Sequence, residues 1–288
     1  MHRMSRHNER ASSARSRADA TVTHDPVLKV LNQLVCEAAT ALLISALELE
    51  VGVFLSTHAH LKLKDSSQAV VRNGYLPPRH LRTSVGDIHL RVPRTRDRSS
   101  EGNRSFTSAL VPPYHARTRR DVRLTSAFLQ SCLTRDPLSF LQVLLGSHVA
   151  ELPIELCTAI LTQWDQQWRS WWERSLATST HLCWWAGRLP PVAHGDAGGS
   201  QVLLTFIVGL YEDGRHELVH VTAAAVDGED AWYEMLSLLR RRGLRGGPQL
   251  ANTSQCPALG RALGRMFPEL AEVRDFWNVQ SPTAVPRG

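Results

Sequence analysis

Apolar residues recur at helical spacing in the first part of the chain. After Asp25-Pro26, where the aspartate can cap a helix and the proline suits its first position, the 3.6-residue period continues to about Leu55. The apolar positions are Leu28, Leu31, Leu34, Val35, Ala38, Leu42 and Leu49. This pattern predicts one long amphipathic helix whose apolar face packs in a core or against a second copy of the chain.

The period then changes to two. Apolar and polar residues alternate between Leu81 and Val92, with Gly86-Asp87 in the middle, which predicts a β-hairpin with a Gly-Asp turn. Its polar face carries Arg82, His89 and Arg91. The stretch Val92–Arg96 ends the hairpin, and residues 97–106 are expected to form a loop.

Three shorter helices are predicted next. Asp121–Leu133 and Pro137–Leu145 have helical periods and are joined by a short turn, and a third helix begins near Pro153. Helices joined in this way resemble a helix-turn-helix, although most helix pairs of this size bind nothing. The third helix carries Trp164, Trp168, Trp171 and Trp172, a spacing that favours a packing seam over a base-stacking platform.

After Thr178 the pattern predicts alternating strands and helices. Strands are expected at residues 182–189, 202–211 and 217–225, and residues 212–215 have the composition of a hairpin turn. A helix at 230–242, a strand at 249–253, a helix at 257–266 and a last strand at 270–276 follow. Three antiparallel strands followed by helix, strand, helix and strand is the element order of an RNase H-like core, and order alone does not fix function.

Composition and charge narrow the class of protein. The chain has 288 residues, and 43% of them are hydrophobic, which excludes a wholly disordered polypeptide. Residues 72–123 contain 12 Arg against Asp87, Asp97, Glu101 and Asp121, a local excess larger than the net charge of +6 for the whole chain. Such a concentrated basic segment favours a polyanion partner, nucleic acid above all, over a solvated basic face. Residues 1–24 are expected to form a disordered basic arm.

Other classes of protein receive no support. Five Cys without a C-x-x-C spacing indicate neither a zinc ribbon nor a disulfide framework. The N-terminus lacks the apolar core of a secretory signal. The longest uncharged apolar runs, at residues 38–47 and 201–211, are shorter than the roughly 20 residues of a membrane span. A soluble cytoplasmic protein associated with the nucleoid, without a membrane partner, is expected.

Several ordered motifs resemble one family. Arg72-Asn73-Gly74-Tyr75 is followed by the alternating run from Leu81 to Arg96, by Leu110–Tyr114, and by the turn Leu133–Asp136. Later matches are the hairpin Gly209–Leu218, the helix end at residues 236–244 and the stop Met266–Pro268. Together, over roughly residues 27–280, they resemble the Mutator-type transposases of bacterial insertion sequences.

The resemblance implies a fold and a reaction. The fold is α+β, with a mostly helical DNA-binding region and β-hairpin at residues 25–177, an incomplete RNase H-like domain at 178–280 and a disordered tail at 281–288. The reaction is strand transfer on transposon ends, assisted by two Mg²⁺ ions that carboxylates hold. The partner is double-stranded transposon-end DNA, and the DNA-contacting residues are expected to be Arg72, Asn73, Tyr75, Arg79, Arg82, Arg91, Arg94, Arg96, Arg119 and Arg120.

The acidic positions that the family implies are altered in this sequence. The first Asp, on the first core strand and followed by Gly, is replaced by Ala186, and the second, after the fourth strand, by Ser254. The family's Cys-x-x-His is Asp275–Asn278 here. The third acid lies in the family beyond a further helical region, whereas the sequence ends at Gly288, as in a degenerate, truncated copy. No intact catalytic residue, metal site or cofactor is therefore expected.

Nearby acids offer an alternative to these positions. If the family's acids aligned a few residues away, the candidates would be Asp196, Asp227, Glu229 and Asp230, but turn and capping roles explain them better.

Three functions remain open: a decayed transposase that still recognises DNA, a working enzyme completed by shifted acids or a second chain, and a regulator. The regulator would form homo-oligomers, or mixed oligomers with an intact transposase.

Overall fold

The computed structural model describes residues 26–100, 102–112, 123–192, 203–223, 228–252 and 256–268. The predicted basic arm, the last predicted strand at 270–276 and the predicted tail lie outside these residues. The described part contains six α-helices, one short 3₁₀ helix and eight β-strands. The predicted α+β class is therefore confirmed.

Helix α1, Pro26–Thr57, is the long helix that the apolar period predicts. Its buried stripe repeats every three or four residues, through Leu31, Val35, Ala39, Leu43 and Leu47. By length and composition, residues 27–57 are also apolar enough to cross a membrane, with a mean hydropathy of 1.8 in the most apolar window. Because the stripe packs against other helices and strands of the chain, a core position accounts for the apolar composition.

Two small antiparallel ribbons follow α1. Strand β1, Val70–Tyr75, pairs with β4, Pro93–Asp97, and strand β2, Arg79–Arg82, pairs with β3, Asp87–Leu90. The β2–β3 ribbon confirms the predicted hairpin, and Gly86 in its turn has φ +139°, which favours glycine. The β1–β4 ribbon was not predicted, because the partner of β4 lies before the hairpin in sequence and no local turn signals the pairing.

Helices α2 to α4 agree with the predicted helical region. They are α2, Leu124–Thr134; α3, Pro137–Leu145; and α4, Ile154–Glu173, with a 3₁₀ turn at Ser147–Glu151. Between α2 and α3, Arg135 is left-handed at φ 56°, and the Asp136 carboxylate accepts hydrogen bonds from the backbone of Leu138 at 3.1 Å and Ser139 at 3.3 Å. The turn is therefore a left-handed residue followed by an N-cap.

The C-terminal part forms a four-stranded sheet with two helices. Its strands are β5, Cys183–Leu189; β6, Leu204–Leu210; β7, His216–Ala223; and β8, Leu250–Asn252. The order across the sheet is β7-β6-β5-β8, with antiparallel neighbours except for the parallel pair β5–β8. Helix α5, Glu229–Arg241, precedes β8, and helix α6, Pro257–Met266, follows it. These elements agree with the sequence-based expectations to within three residues.

Apolar residues cover both faces of this sheet. One face, with Trp184, Ala186, Ile207 and Val219, packs against α5 and α6 around Trp232. The opposite face, with Leu204, Phe206, Val208 and Val221, joins a core that includes α1 to α4 and the β2–β3 ribbon. That core crosses the predicted boundary near residue 178, so α1 and α2 form the layer behind the sheet.

Candidate functional site

Ala186 lies in the middle of β5, opposite Ile207 of β6. Its side chain is 4% exposed and belongs to the apolar cluster on the α5–α6 side of the sheet. On its other edge, β5 pairs with β8. The last pair is Trp185 with Asn252, so β8 ends one residue before the level of Ala186. Ser254 follows two residues later, outside the described residues. The position where the family resemblance implies the first acid therefore carries a buried methyl group.

The alternative acids do not converge on this position. Asp196 and Asp227 lie outside the described residues. Glu229, at the start of α5, forms ion pairs with Arg261 at 3.4 Å and Arg265 at 3.8 Å of α6, and Asp230 pairs with Arg265 at 3.0 Å. Within the described ranges, no group of three or more His, Cys, Asp or Glu side chains is placed to hold a metal ion.

A polar cluster lies on the edge strand of the sheet, around Glu217 of β7. Its carboxylate accepts hydrogen bonds from His181 Nε2 at 2.7 Å, from the Tyr211 hydroxyl at 2.8 Å and from Arg174 Nη2 at 3.1 Å. Burial opposes ionisation, but the His181 hydrogen bond and the charge of Arg174 outweigh it and lower the pKa of Glu217 to about 2. Glu217 therefore stays ionised and ties the end of α4 to the sheet.

Two further basic groups lie beside this cluster. Arg242, after α5, donates to the Trp171 carbonyl at 3.2 Å, and burial followed by repulsion from Arg174 lowers its pKa to about 10. His220 on β7 is 3% exposed, and burial followed by the charge of Arg242 lowers its pKa to about 4. His220 is therefore neutral at pH 7, and this cluster holds the fold together rather than forming an open site.

The first predicted DNA-binding motif is anchored to α1. Arg72 forms a two-pronged ion pair with Glu48, and the Tyr75 hydroxyl donates to the same carboxylate at 3.0 Å. The Arg72 guanidinium also lies 4.8 Å from the centre of the Tyr75 ring. The hydrogen bond from Arg72 lowers the pKa of Glu48 and outweighs burial, which raises it. Asn73, between them in sequence, is exposed. Arg72 and Tyr75 therefore fasten β1 to α1.

Arg79 has a similar internal contact. Its guanidinium donates to the Val111 carbonyl at 3.0 Å and to the Pro112 carbonyl at 2.6 Å. The same loop is held by Glu50 of α1, which accepts from the Ser108 hydroxyl and the Ala109 backbone amide, both at 2.6 Å. Burial raises the pKa of Glu50 despite these hydrogen bonds. The predicted residues Arg119 and Arg120, farther along the chain, lie outside the described residues.

Four predicted DNA-binding arginines remain solvent-facing: Arg82, Arg91, Arg94 and Arg96. Arg82 is on β2, Arg91 follows β3, and Arg94 and Arg96 alternate on β4 with the buried Pro93 and Thr95. Alternation places side chains of the same face two residues apart, so β4 points both arginines away from the core. These four side chains form the exposed arginine set.

The Trp-rich face of α4 behaves as a packing seam. Trp164 is 8% exposed and lies edge-on to Phe128 of α2, with ring centres 6.1 Å apart. Trp168 stacks on Trp172 at 5.2 Å, and Arg135 lies over the Trp168 ring at 4.0 Å. The packing interpretation of the four tryptophans agrees with these contacts.

The sequence matches one protein family over most of its length. The family model for the Mutator family of transposases matches residues 7–274, and the chain belongs to this family. The transposase for insertion sequence element ISRM5 of Rhizobium meliloti (strain 1021) is 30% identical over 199 residues, which are 69% of this chain and 47% of that protein.

Two further curated relatives have related names. The transposase for insertion sequence element IST2 of Acidithiobacillus ferrooxidans is 28% identical over 138 residues, 46% of this chain and 45% of that protein. The transposase for insertion sequence element IS6120 of Mycolicibacterium smegmatis is 25% identical over 154 residues, 54% of this chain and 46% of that protein. The chain spans about half the length of these curated relatives.

Proposed function

We propose that this chain binds double-stranded transposon-end DNA through its basic segment and does not catalyse strand transfer. The proposed absence of strand transfer rests on the buried Ala186 methyl group on β5, which is surrounded by apolar side chains. The proposed binding of transposon-end DNA is supported by the family relationship and by the transposase names of the relatives. The chain is further proposed to be a soluble cytoplasmic protein associated with the nucleoid.

The proposed core is RNase H-like. Its support is the sheet order β7-β6-β5-β8, with two antiparallel neighbours followed by a helix and a strand parallel to β5. In that architecture, acids at the centre of the first strand and just after the fourth lie near each other. Ala186 is at the centre of β5, and Ser254 follows β8, which supports the same placement here.

The residues at these two positions do not fit a pair of Mg²⁺ ions. Mg²⁺ needs hard, usually anionic, oxygen ligands, and a carboxylate also offsets its charge. Alanine offers no donor atom, and serine offers a neutral hydroxyl. The ion-paired Glu229 and Asp230 are fully explained as partners of Arg261 and Arg265. We therefore assign no catalytic step and no metal to this chain.

The exposed arginine set supplies the proposed DNA contacts. Arg91, Arg94 and Arg96 lie within six residues of one another on one extended stretch, and each guanidinium can contact a phosphate. Asn73 is exposed on the neighbouring strand β1 and is a further candidate. Arg72, Tyr75 and Arg79 contribute by holding β1 and β2 in place, since their polar groups are engaged within the protein.

A salt series tests this proposal. Binding to a fluorescent duplex of about 30 base pairs is measured by anisotropy between 50 and 400 mM NaCl. The logarithm of the association constant should fall linearly with the logarithm of the salt concentration, with a slope of about −0.9 per phosphate contact. The triple variant R91A/R94A/R96A should lower that slope by roughly 2 to 3. The matched control is R240A/R241A/R245A, which removes three exposed arginines from the α5 side and should keep the original slope. Equal losses in both variants would show that only total charge matters and would remove the role of the exposed set.

DNA binding without catalysis has a biological consequence. A chain that occupies transposon ends without cutting them competes with an intact transposase of the same element. This role as a competitor needs no new contact beyond the proposed DNA interface. Mixed oligomers, and an active enzyme completed by a second chain, stay as predictions beside it.

A further inference from the structure

The β2–β3 ribbon carries a pair of histidines on its solvent face. His80 and His89 are directly opposite in the antiparallel register, with ring centres 4.4 Å apart and planes at 73°. Both side chains are exposed, whereas Leu81, Ile88 and Leu90 point to the core. The two imidazoles are therefore packed on each other at the surface of the predicted basic segment.

The charges around this pair are mainly positive. On the same face of the ribbon, Arg82 lies opposite Asp87, and the chain continues from β3 to Arg91. Behind the ribbon, α1 places Cys36 and Glu37 near Asp87: the Cys36 thiol contacts the Asp87 carbonyl at 3.7 Å. With neutral histidines, Arg82, Asp87 and Arg91 give this face a single positive charge, and protonation of both imidazoles raises it to three.

Two protonated imidazoles in ring contact repel each other in the free chain. An anion placed over the pair removes that repulsion, because each ring nitrogen of a histidinium donates a hydrogen bond. A two-stranded ribbon fits the major groove of B-DNA, which is about 12 Å wide. Strands of four residues, such as β2 and β3, extend over roughly 13 Å and so reach from one phosphate backbone to the other.

We propose that the solvent face of the β2–β3 ribbon, centred on His80 and His89, docks on the phosphate backbone along the major groove of duplex DNA, with both histidines protonated in the complex. This inference rests on the proposed DNA-binding function and adds its docking element and its proton requirement. Arg82 and Arg91 flank the pair, so that four cationic groups meet the DNA backbone on one face. Arg94 and Arg96 are two further exposed arginines, on β4 of the other ribbon.

The protonation has a measurable consequence. If binding captures protons on both histidines, the DNA affinity must rise as the pH falls, by the general linkage between proton uptake and binding. Histidine changes charge between pH 5 and 8, so the effect lies in that window. The DNA affinity should therefore be weaker at pH 8 than at pH 6.

The test compares DNA binding at constant ionic strength from pH 6.0 to 8.0. The unmodified chain should lose affinity roughly 10- to 50-fold over this range, and the variant H80Q/H89Q should lose less than about 3-fold. H60Q, which removes an exposed histidine just after α1, is the matched control and should behave as the unmodified chain. Calorimetry in two buffers of different ionisation enthalpy should show proton uptake that disappears in H80Q/H89Q.

Each other outcome is decisive. If H80Q/H89Q binds DNA with the full pH dependence of the unmodified chain, the histidine proposal is wrong while DNA binding stands. If the unmodified chain fails to bind duplex DNA at pH 6 and low salt, the proposed function is wrong, and this inference with it. If polyglutamate binds with the steep pH dependence and duplex DNA does not, the partner is an acidic protein and the assignment to DNA is overturned.

Discussion

The variant E217A is expected to lose about 3 to 5 kcal/mol of unfolding free energy at pH 7. Removal of the carboxylate leaves His181 Nε2 without its hydrogen-bond partner and leaves the Arg174 guanidinium, on a side chain that is 24% exposed, without its anionic partner. A partly buried guanidinium without an anion is costly, because the protein interior solvates its charge less well than water does. Chemical denaturation followed by tryptophan fluorescence measures this loss.

The pH dependence of stability separates this electrostatic role from simple packing. Because the folded pKa of Glu217 is about 2, against an ordinary value of 4.5, its stabilisation is complete above about pH 4.5 and is lost as the pH falls toward 2. E217Q should therefore show a flatter stability profile in that window than the unmodified chain. The control is E212A in the adjacent turn, where Glu212 is exposed, and it should change stability by less than about 0.5 kcal/mol. A loss in E212A as large as that in E217A would contradict the account.

The variant F206A is expected to destabilise the sheet by about 3 to 5 kcal/mol. Phe206 is 1% exposed on β6, and its ring covers Gly187 on β5, where an added Cβ would lie only 2.5 Å from the ring tip. G187A should therefore also destabilise, by about 1 to 3 kcal/mol, through overpacking. Thermal unfolding of the purified variants measures both effects.

A double-variant cycle tests whether this contact is responsible. F206L removes the tip of the ring and leaves room for the methyl group that G187A introduces, so G187A in the F206L background should cost at least about 1 kcal/mol less than in the native background. Additive effects of the two substitutions would show that Gly187 is required for a reason other than the Phe206 ring. Gly187 follows Ala186, so the cycle also reports on the packing beside Ala186.

Much of the fold could be predicted because its signals are local. The period of α1, the two hairpin turns around Gly86 and Gly214, and the proline starts of α3 and α6 lie within a few residues of the elements that they define. The pairing of β1 with β4 could not be predicted in this way, since Val70 pairs with Asp97 across the whole of the β2–β3 ribbon. The sheet order likewise follows from tertiary packing rather than from any single segment.

Two acidic residues of α1 make contacts that the sequence did not predict. Glu50 occupies a position of the buried stripe, three and four residues from Leu47 and Ala46, and its side chain caps the loop at Ser108. A carboxylate at a core position of a helical period was a usable signal of a buried acceptor. The ion pair of Glu48 with Arg72 had no such signal, because both residues are exposed and lie 24 positions apart.

The residues proposed to contact DNA illustrate a similar limit. Charge density located the basic segment, but it could not separate arginines that bind internal carbonyls, such as Arg79, from solvent-facing ones such as Arg94. Conversely, the structure shows that Ala186 is surrounded by apolar side chains, while its assignment to the position of a family acid stays a prediction. The placement of Ser254 stays a prediction.

The most direct test of the central claim is a strand-transfer assay with the purified chain, duplex transposon ends and either Mg²⁺ or Mn²⁺. We expect the chain to retain the ends in a DNA-bound complex and to produce no joined product, because a methyl group at residue 186 provides no ligand for a metal ion. Joined products that depend on the divalent cation and co-purify with this chain would contradict the account.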